Sequence, residues 1–169
     1  MPDYIFDTTV LSNFAAVGRL DLLRERYRGR AFTTLDVADE LRKGVNAGYA
    51  YLELVLADID PADQESWIHV LVPQSISERR LRVRFDERLD AGEASCLALA
   101  VTRKLTLVTD DKAARQVAKT QAVPVTGTVG ILIQLVRNGV LSLSKANALL
   151  TDMILQRYRA PVDRLDELV

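Results

Sequence analysis

The sequence predicts an α/β fold with a mainly parallel sheet. Three observations carry this. Short apolar runs alternate with helix-length periodic segments, two of those runs end in aspartate, and 169 residues make about one domain. Strands alternating with helices imply helical crossovers, because parallel neighbours need a long connection.

The elements follow in order. Tyr4-Ile5-Phe6 reads as a strand ending at Asp7. Residues 11–23 look helical, interrupted near Gly18. Residues 30–35 suit a short strand, and 35–43 a helix stopped by Gly44. Another helix is expected over 47–56, ended by Asp60-Pro61. Residues 67–71 read as a strand closed by Pro73, while 75–85 fit no single pattern. Residues 91–103 form a strong helix, 105–109 a strand, 111–119 a helix and 123–125 a brief strand. Helices over 128–137 and 144–157 flank a turn at Asn138-Gly139. Residues 1–160 are expected to form one domain, with 161–169 as a C-terminal tail.

Composition narrows the chemistry. With 49% hydrophobic and 27% charged residues, the chain has the profile of a soluble globular protein. The longest charge-free stretch, 120–136, is interrupted by Pro124, Gly127 and Gly130 and is too polar to span a membrane. Asp3 and Asp7 stand where a signal peptide would be basic, so a cytoplasmic location is expected. One cysteine, Cys96, permits no internal disulfide, and with one histidine, His69, it cannot build a structural zinc site. A net charge of -1 argues against a globally basic nucleic-acid binder. Chemistry must therefore lean on carboxylates, or on a metal they hold.

Acids at four places in the chain stand out. In open α/β sheets ligands sit at the carboxyl ends of strands, where Asp7 and Asp110-Asp111 fall. Each of these could also simply cap the next helix. In 91–103 the apolar stripe through Cys96, Leu97 and Ala100 steps back onto Glu93. In 35–43, Val37, Glu40 and Leu41 share a stripe, with Asp39 off it. An acid on an apolar face must be paired, neutralised or metal-bound. An arginine could pair with any one of them. Four converging carboxylates repel unless a divalent cation sits among them, and Mg²⁺ and Mn²⁺ prefer such ligands.

At these residues the chain resembles the PIN-domain family, metal-dependent ribonucleases related to the toxins of VapBC-type toxin–antitoxin pairs. Phe6-Asp7-Thr8-Thr9-Val10-Leu11 resembles the family's opening strand, and Val37-x-x-Glu40-Leu41 its second acidic motif. Glu93 with Ala94, Ala98 and Ala100 is similar to the third, where most members carry Asp. Thr109-Asp110-Asp111 is similar to the fourth. Leu89-Asp90-Ala91-Gly92-Glu93-Ala94, Asp110-Asp111-Lys112-Ala113-Ala114-Arg115 and Thr126-Gly127-Thr128-Val129-Gly130-Ile131-Leu132 resemble a less characterised branch with Gly-Glu, Asp-Asp-x-x-x-Arg and Gly-Thr-x-Gly motifs. The resemblance implies a three-layer sandwich with helices flanking the sheet. It implies a metal-dependent endoribonuclease in which Asp7, Glu40, Glu93 and Asp111 hold Mg²⁺ or Mn²⁺, with Asp110 as a further candidate ligand. In toxin-like relatives a small antitoxin blocks the groove and protomers pair, which implies an antitoxin partner and a homodimer here.

Supporting roles fall to Thr8 and Thr9, as partners of a carboxylate or as helix caps, and to Arg115, which could pair with Asp111 four residues back or meet a phosphate. Asp110 is expected to cap the helix that follows, leaving Asp111 for the metal. A basic rim is expected at Arg24, Arg26, Arg28 and Arg30 or at Arg79, Arg80, Arg82 and Arg84. Two rival classes stand beside the nuclease. A scaffold that binds RNA or a protein without cutting is supported by Glu93 in the place of Asp. A haloacid-dehalogenase-type phosphohydrolase needs a second Asp where Thr9 stands.

Overall fold

In the computed structural model, which describes residues 2–169, β1 (Tyr4–Phe6) is the central strand of a five-stranded sheet. The order is β3-β2-β1-β4-β5, with β2 (Ala31–Thr34), β3 (Ile68–Leu71), β4 (Thr106–Val108) and β5 (Val125–Thr126). All four pairings are parallel, Tyr4 lying opposite both Ala31 and Thr106. The chain first moves outward from β1 to β3, then returns to β4 and moves the other way. Right-handed crossovers in opposite directions place helices on both faces, giving three layers. The reversal opens a crevice beyond the carboxyl ends of β1 and β4.

On one side of the reversal the crossovers are α1 (Thr8–Ala16), α2 (Leu20–Tyr27), α3 (Leu35–Asn46) and α4 (Leu52–Ile59). The helical signal over 11–23 resolves into two helices broken at Gly18, whose φ of 68° suits a residue without Cβ. Gly44 does not stop α3, contrary to expectation. A Cβ there would lie 2.4 Å from Leu52, so the glycine lets α3 and α4 pack closely. The segment 47–51 is a turn, and the second helix begins at Leu52.

The return crossover uses α5 (Ile76–Phe85) and α6 (Ala91–Arg103). The undecided stretch 75–85 is helical because Ser75 and Glu78 form a capping box. Glu78 also receives Arg103 at 2.8 Å, tying α5 to the far end of α6. Small residues let α6 lie deep: Ala94 through Ala100 are all buried, on more faces than the stripe at Cys96, Leu97 and Ala100 predicts. Then come α7 (Lys112–Thr120), α8 (Thr128–Arg137) and α9 (Leu143–Leu155). Beyond α9, Leu165 is fully buried and its amide donates to Asn147 Oδ1 at 2.8 Å. No described helix is long and apolar enough to cross a membrane.

Candidate active site

Asp7 follows β1 directly and is 1% exposed. It caps α1: its Oδ1 accepts the Thr9 amide at 2.9 Å and the Thr9 hydroxyl at 2.6 Å. Its Oδ2 accepts the Thr109 hydroxyl. Burial pushes the carboxyl up to about 7. The bonds from Thr109 and Thr9 oppose that rise, and the charge of Asp110 adds to it. The two threonines do double duty, since Thr9 also accepts the amide of Asp110 at 2.9 Å and Thr109 that of Asp111 at 3.0 Å. Neither Thr8 nor Thr9 is the cap. Both hydroxyls donate to carboxylates, Thr8 reaching Glu40 Oε2 at 3.4 Å.

Glu40 arrives from the inner face of α3, and its Oε1 accepts the Gly92 amide at 2.8 Å. A Cβ on Gly92 would lie 2.5–2.8 Å from the Glu40 carboxylate, which explains a glycine before Glu93. Burial raises the Glu40 carboxyl above its ordinary range, against the Gly92 amide and with help from the charge of Asp90.

Asp90 and Glu93 form the capping box of α6. The Glu93 amide donates to Asp90 Oδ1 at 2.9 Å, and the Asp90 amide to Glu93 Oε2 at 3.2 Å. Burial pushes Glu93 up to about 8, and the charges of Asp90, Asp111 and Asp7 add to the rise. Asp90 is a member of this acidic group that the sequence reading passed over. An Asp three residues before a Glu is itself the mark of a helix start, and could have flagged it.

Asp111, not Asp110, caps α7, its Oδ1 accepting the Ala114 amide at 2.8 Å. The helix begins one residue later than the sequence predicts, so the cap passes from Asp110 to Asp111. Asp110 turns the other way. It accepts the Thr128 amide at 2.8 Å and hydroxyl at 2.5 Å, Asn13 Nδ2 at 2.9 Å and the Tyr158 hydroxyl at 3.2 Å. It thus ties the end of β4 to α1, α8 and the chain beyond α9. A Cβ on Gly127 would lie 2.5 Å from Asp110 Oδ1 and 2.9 Å from the Thr109 carbonyl, so the Gly-Thr pair exists to let Asp110 in. Arg115 does not pair with Asp111. Its Nη1 donates to the Thr109 carbonyl at 2.9 Å.

The first arginine cluster sits away from this crevice. Arg30 precedes β2, at the amino ends of the strands, and Arg24 pairs with Asp58 at 2.9 Å. On α5, Arg82 is held by Asp36 at 2.8 Å. Cys96 is fully buried, its Sγ 3.4 Å from the Phe6 carbonyl, and burial raises its thiol well above the ordinary value.

Asp90, Asp111 and Asp7 therefore lie close enough to Glu93 for their charges to act on it, and Asp90 acts likewise on Glu40. Among the described residues none of these five forms an ion pair with Lys, Arg or His. An all-oxygen set without a cationic partner has the donor chemistry of a hard divalent cation. No three acidic side chains among the described residues already stand as a ready-made ion cage. Amides occupy Glu93 Oε2 and Asp111 Oδ1, leaving Glu93 Oε1 and Asp111 Oδ2 for an ion.

Comparison with known proteins bears on this arrangement. The fold is similar to the crystal structure of PAE2754 from Pyrobaculum aerophilum, with a TM-score of 0.50 and 23% identity over 83% of this chain and 98% of that one. At that identity the likeness speaks for the fold. None of the curated proteins matches. The family model DUF3368, described as a PIN domain, matches residues 3–169, nearly the whole chain. The chain therefore belongs to the PIN-domain family, whose members are generally nucleases and typically use divalent metals.

Proposed function

We propose that the chain is a cytoplasmic, divalent-metal-dependent endoribonuclease that cuts single-stranded RNA. The observation that carries this reading is the set of carboxylates without counter-cations at the carboxyl ends of β1 and β4. Asp7, Glu40, Glu93 and Asp111 would hold Mg²⁺ or Mn²⁺. When bound, such an ion supplies a water of lowered pKa and screens charge developing at the phosphorus. The protein's part is positioning. Thr9 and Thr109 fix both oxygens of Asp7, Gly92 fixes Glu40, and the Asp90 amide fixes Glu93. Asp110 braces the loop without being needed as a ligand, because its oxygens already accept four hydrogen bonds.

That the enzyme is the toxin of a toxin–antitoxin pair, restrained by a small antitoxin and paired as a homodimer, is supported by the resemblance of its motifs to toxin-like PIN domains. Expression of the wild type, but not of Asp7→Asn, should then arrest growth.

The central test is incubation of the full chain with single-stranded RNA in Mn²⁺, Mg²⁺ or EDTA, beside Asp7→Asn. Attack by water leaves a 5′-phosphate and a 3′-hydroxyl. Products ending in a 2′,3′-cyclic phosphate refute the mechanism. Metal binding without cleavage of any RNA favours the scaffold reading instead.

A further inference from the structure

The expected basic rim is not at the first arginine cluster, yet an acidic centre that handles RNA needs cationic guidance nearby. Two neighbouring cavities of about 740 and 540 Å³ lie along the β5 edge of the sheet and share Lys112, Arg115 and Val125 as walls. Lys119 lines the second and Arg159, from the segment after α9, lines the first. Lys112, Arg115 and Lys119 follow the i, i+3, i+7 spacing that puts them on one face of α7. At ~1.5 Å per residue this row runs about 10 Å. It starts beside Asp111 and leads away from the carboxylates.

The charge balance of this groove is one-sided. Among the described residues Asp110 is the only acid lining it, and its oxygens are taken by Thr128, Asn13 and Tyr158. Among the described residues, none of the four cations is in an ion pair. Arg115 gives one N–H to the Thr109 carbonyl and has further donors to offer. Val125, Ile133 and Pro161 add apolar surface to the lining. A row of unneutralised cations beside apolar lining suits a flexible polyanion whose bases can lie against the protein.

We infer that this groove along β5 carries the single-stranded nucleic acid to the carboxylate centre, with Lys112, Arg115, Lys119 and Arg159 contacting its phosphates. The inference rests on the nuclease reading of that centre and adds the path of its substrate. Lys119 and Arg159 are exposed and make none of the bonds that hold the carboxylates, so they are the residues to change.

The test is fluorescence anisotropy of a short fluorescein-labelled oligouridylate, and of its deoxy counterpart, with the full chain in EDTA. Binding is then read apart from cleavage. Removing two phosphate contacts to a single strand lowers the slope of log K against log salt by about 1.4 in magnitude, at about 0.7 per contact. Lys119→Ala/Arg159→Ala should show that loss and weaker binding with both oligonucleotides, because phosphates carry the contact. Arg79→Ala/Arg80→Ala on α5 should bind as wild type does. Melting curves check that both variants are folded. If the α5 variant loses as much, or the groove variant loses nothing, the inference is overturned. The second outcome leaves the groove to an acidic protein segment. Cleavage by wild type is scored separately, so a failed groove leaves the nuclease reading standing. A failed nuclease with a groove-dependent affinity marks a binding scaffold.

Discussion

The backbone amide of Gly92 on α6 holds Oε1 of Glu40 on α3 at 2.8 Å, joining two acidic motifs separated by 52 residues. The bond requires a residue without Cβ, since a methyl group would enter the space of the carboxylate. Gly92→Ala displaces the mobile end of Glu40 rather than the backbone. Stability should stay within about 1 kcal/mol of wild type, because alanine favours the helix by about that much over glycine. Metal affinity or cleavage should fall by about 10–100-fold, as when a ligand loses its supporting group. Calorimetric metal titration beside a melting curve measures both. Unchanged affinity would show that Glu40 is not needed.

Asp110 and Asp111 should respond in opposite ways. Asparagine caps a helix about as well as aspartate, so Asp111→Asn should cost less than about 0.5 kcal/mol while losing metal and activity. Asp110→Ala strands the Thr128 hydroxyl, Asn13 and Tyr158, and should cost about 2–3 kcal/mol. Urea melts of the two variants, followed by Mn²⁺ titration, separate a brace from a ligand. A stable Asp110→Ala protein would refute the bracing role.

Asp7→Asn tests the metal directly. An ion that binds only the folded state stabilises it by about 2.7 kcal/mol at 100 times Kd. Mn²⁺ should raise the melting temperature of wild type more than that of Asp7→Asn. Without metal at neutral pH the variant should be at least as stable as wild type, because it removes a carboxylate whose charge burial disfavours. Equal metal responses count against Asp7 as a ligand.

Glu78 gives a pH dependence independent of the crevice. The Arg103 guanidinium and the amides of Gln74 and Ser75 hold its carboxyl down from 4.5 to about 2. A depressed folded pKa stabilises fully above the unfolded value and loses that contribution as pH falls through the folded one. Glu78→Gln should therefore be less stable than wild type near neutrality by about 2 kcal/mol, the worth of hydrogen bonds to a charged group. The gap should close between pH 4.5 and about 2. Thermal melts of both proteins across that interval check it, and a gap independent of pH would refute the ionic contribution.

The alternation of strands with helices was legible because apolar runs and caps are local signals. The acids Asp7, Glu40, Glu93 and Asp111 were legible because an acid on an apolar stripe or at a strand end breaks a pattern. What escaped depends on register or on distant partners. The cap of α7 falls to Asp111 rather than Asp110 through a one-residue shift in the start of the helix. Asn13, which donates to Asp110 across 97 residues, breaks no local pattern. Gly44 looks like a helix stop in sequence, and only Leu52 packed against it explains why a glycine stands inside the helix. The arginine runs look like a rim in one dimension, but one cluster lies at the amino ends of the strands, away from the crevice.

The bond from Thr109 to Asp7 spans 102 residues, through the pairing of β1 with β4. Time enters here. At ~5–20 residues per second, a ribosome needs about 5–20 s after making Asp7 to deliver Asp111. Thr128 and Tyr158, which steady Asp110, emerge later still. A nascent chain therefore carries Asp7 through that interval apart from the acids that join it in the fold. The carboxylate centre is assembled only after Asp111 has been made, and it is braced through Asp110 only after Tyr158 has followed, so shorter fragments carry its acids unassembled.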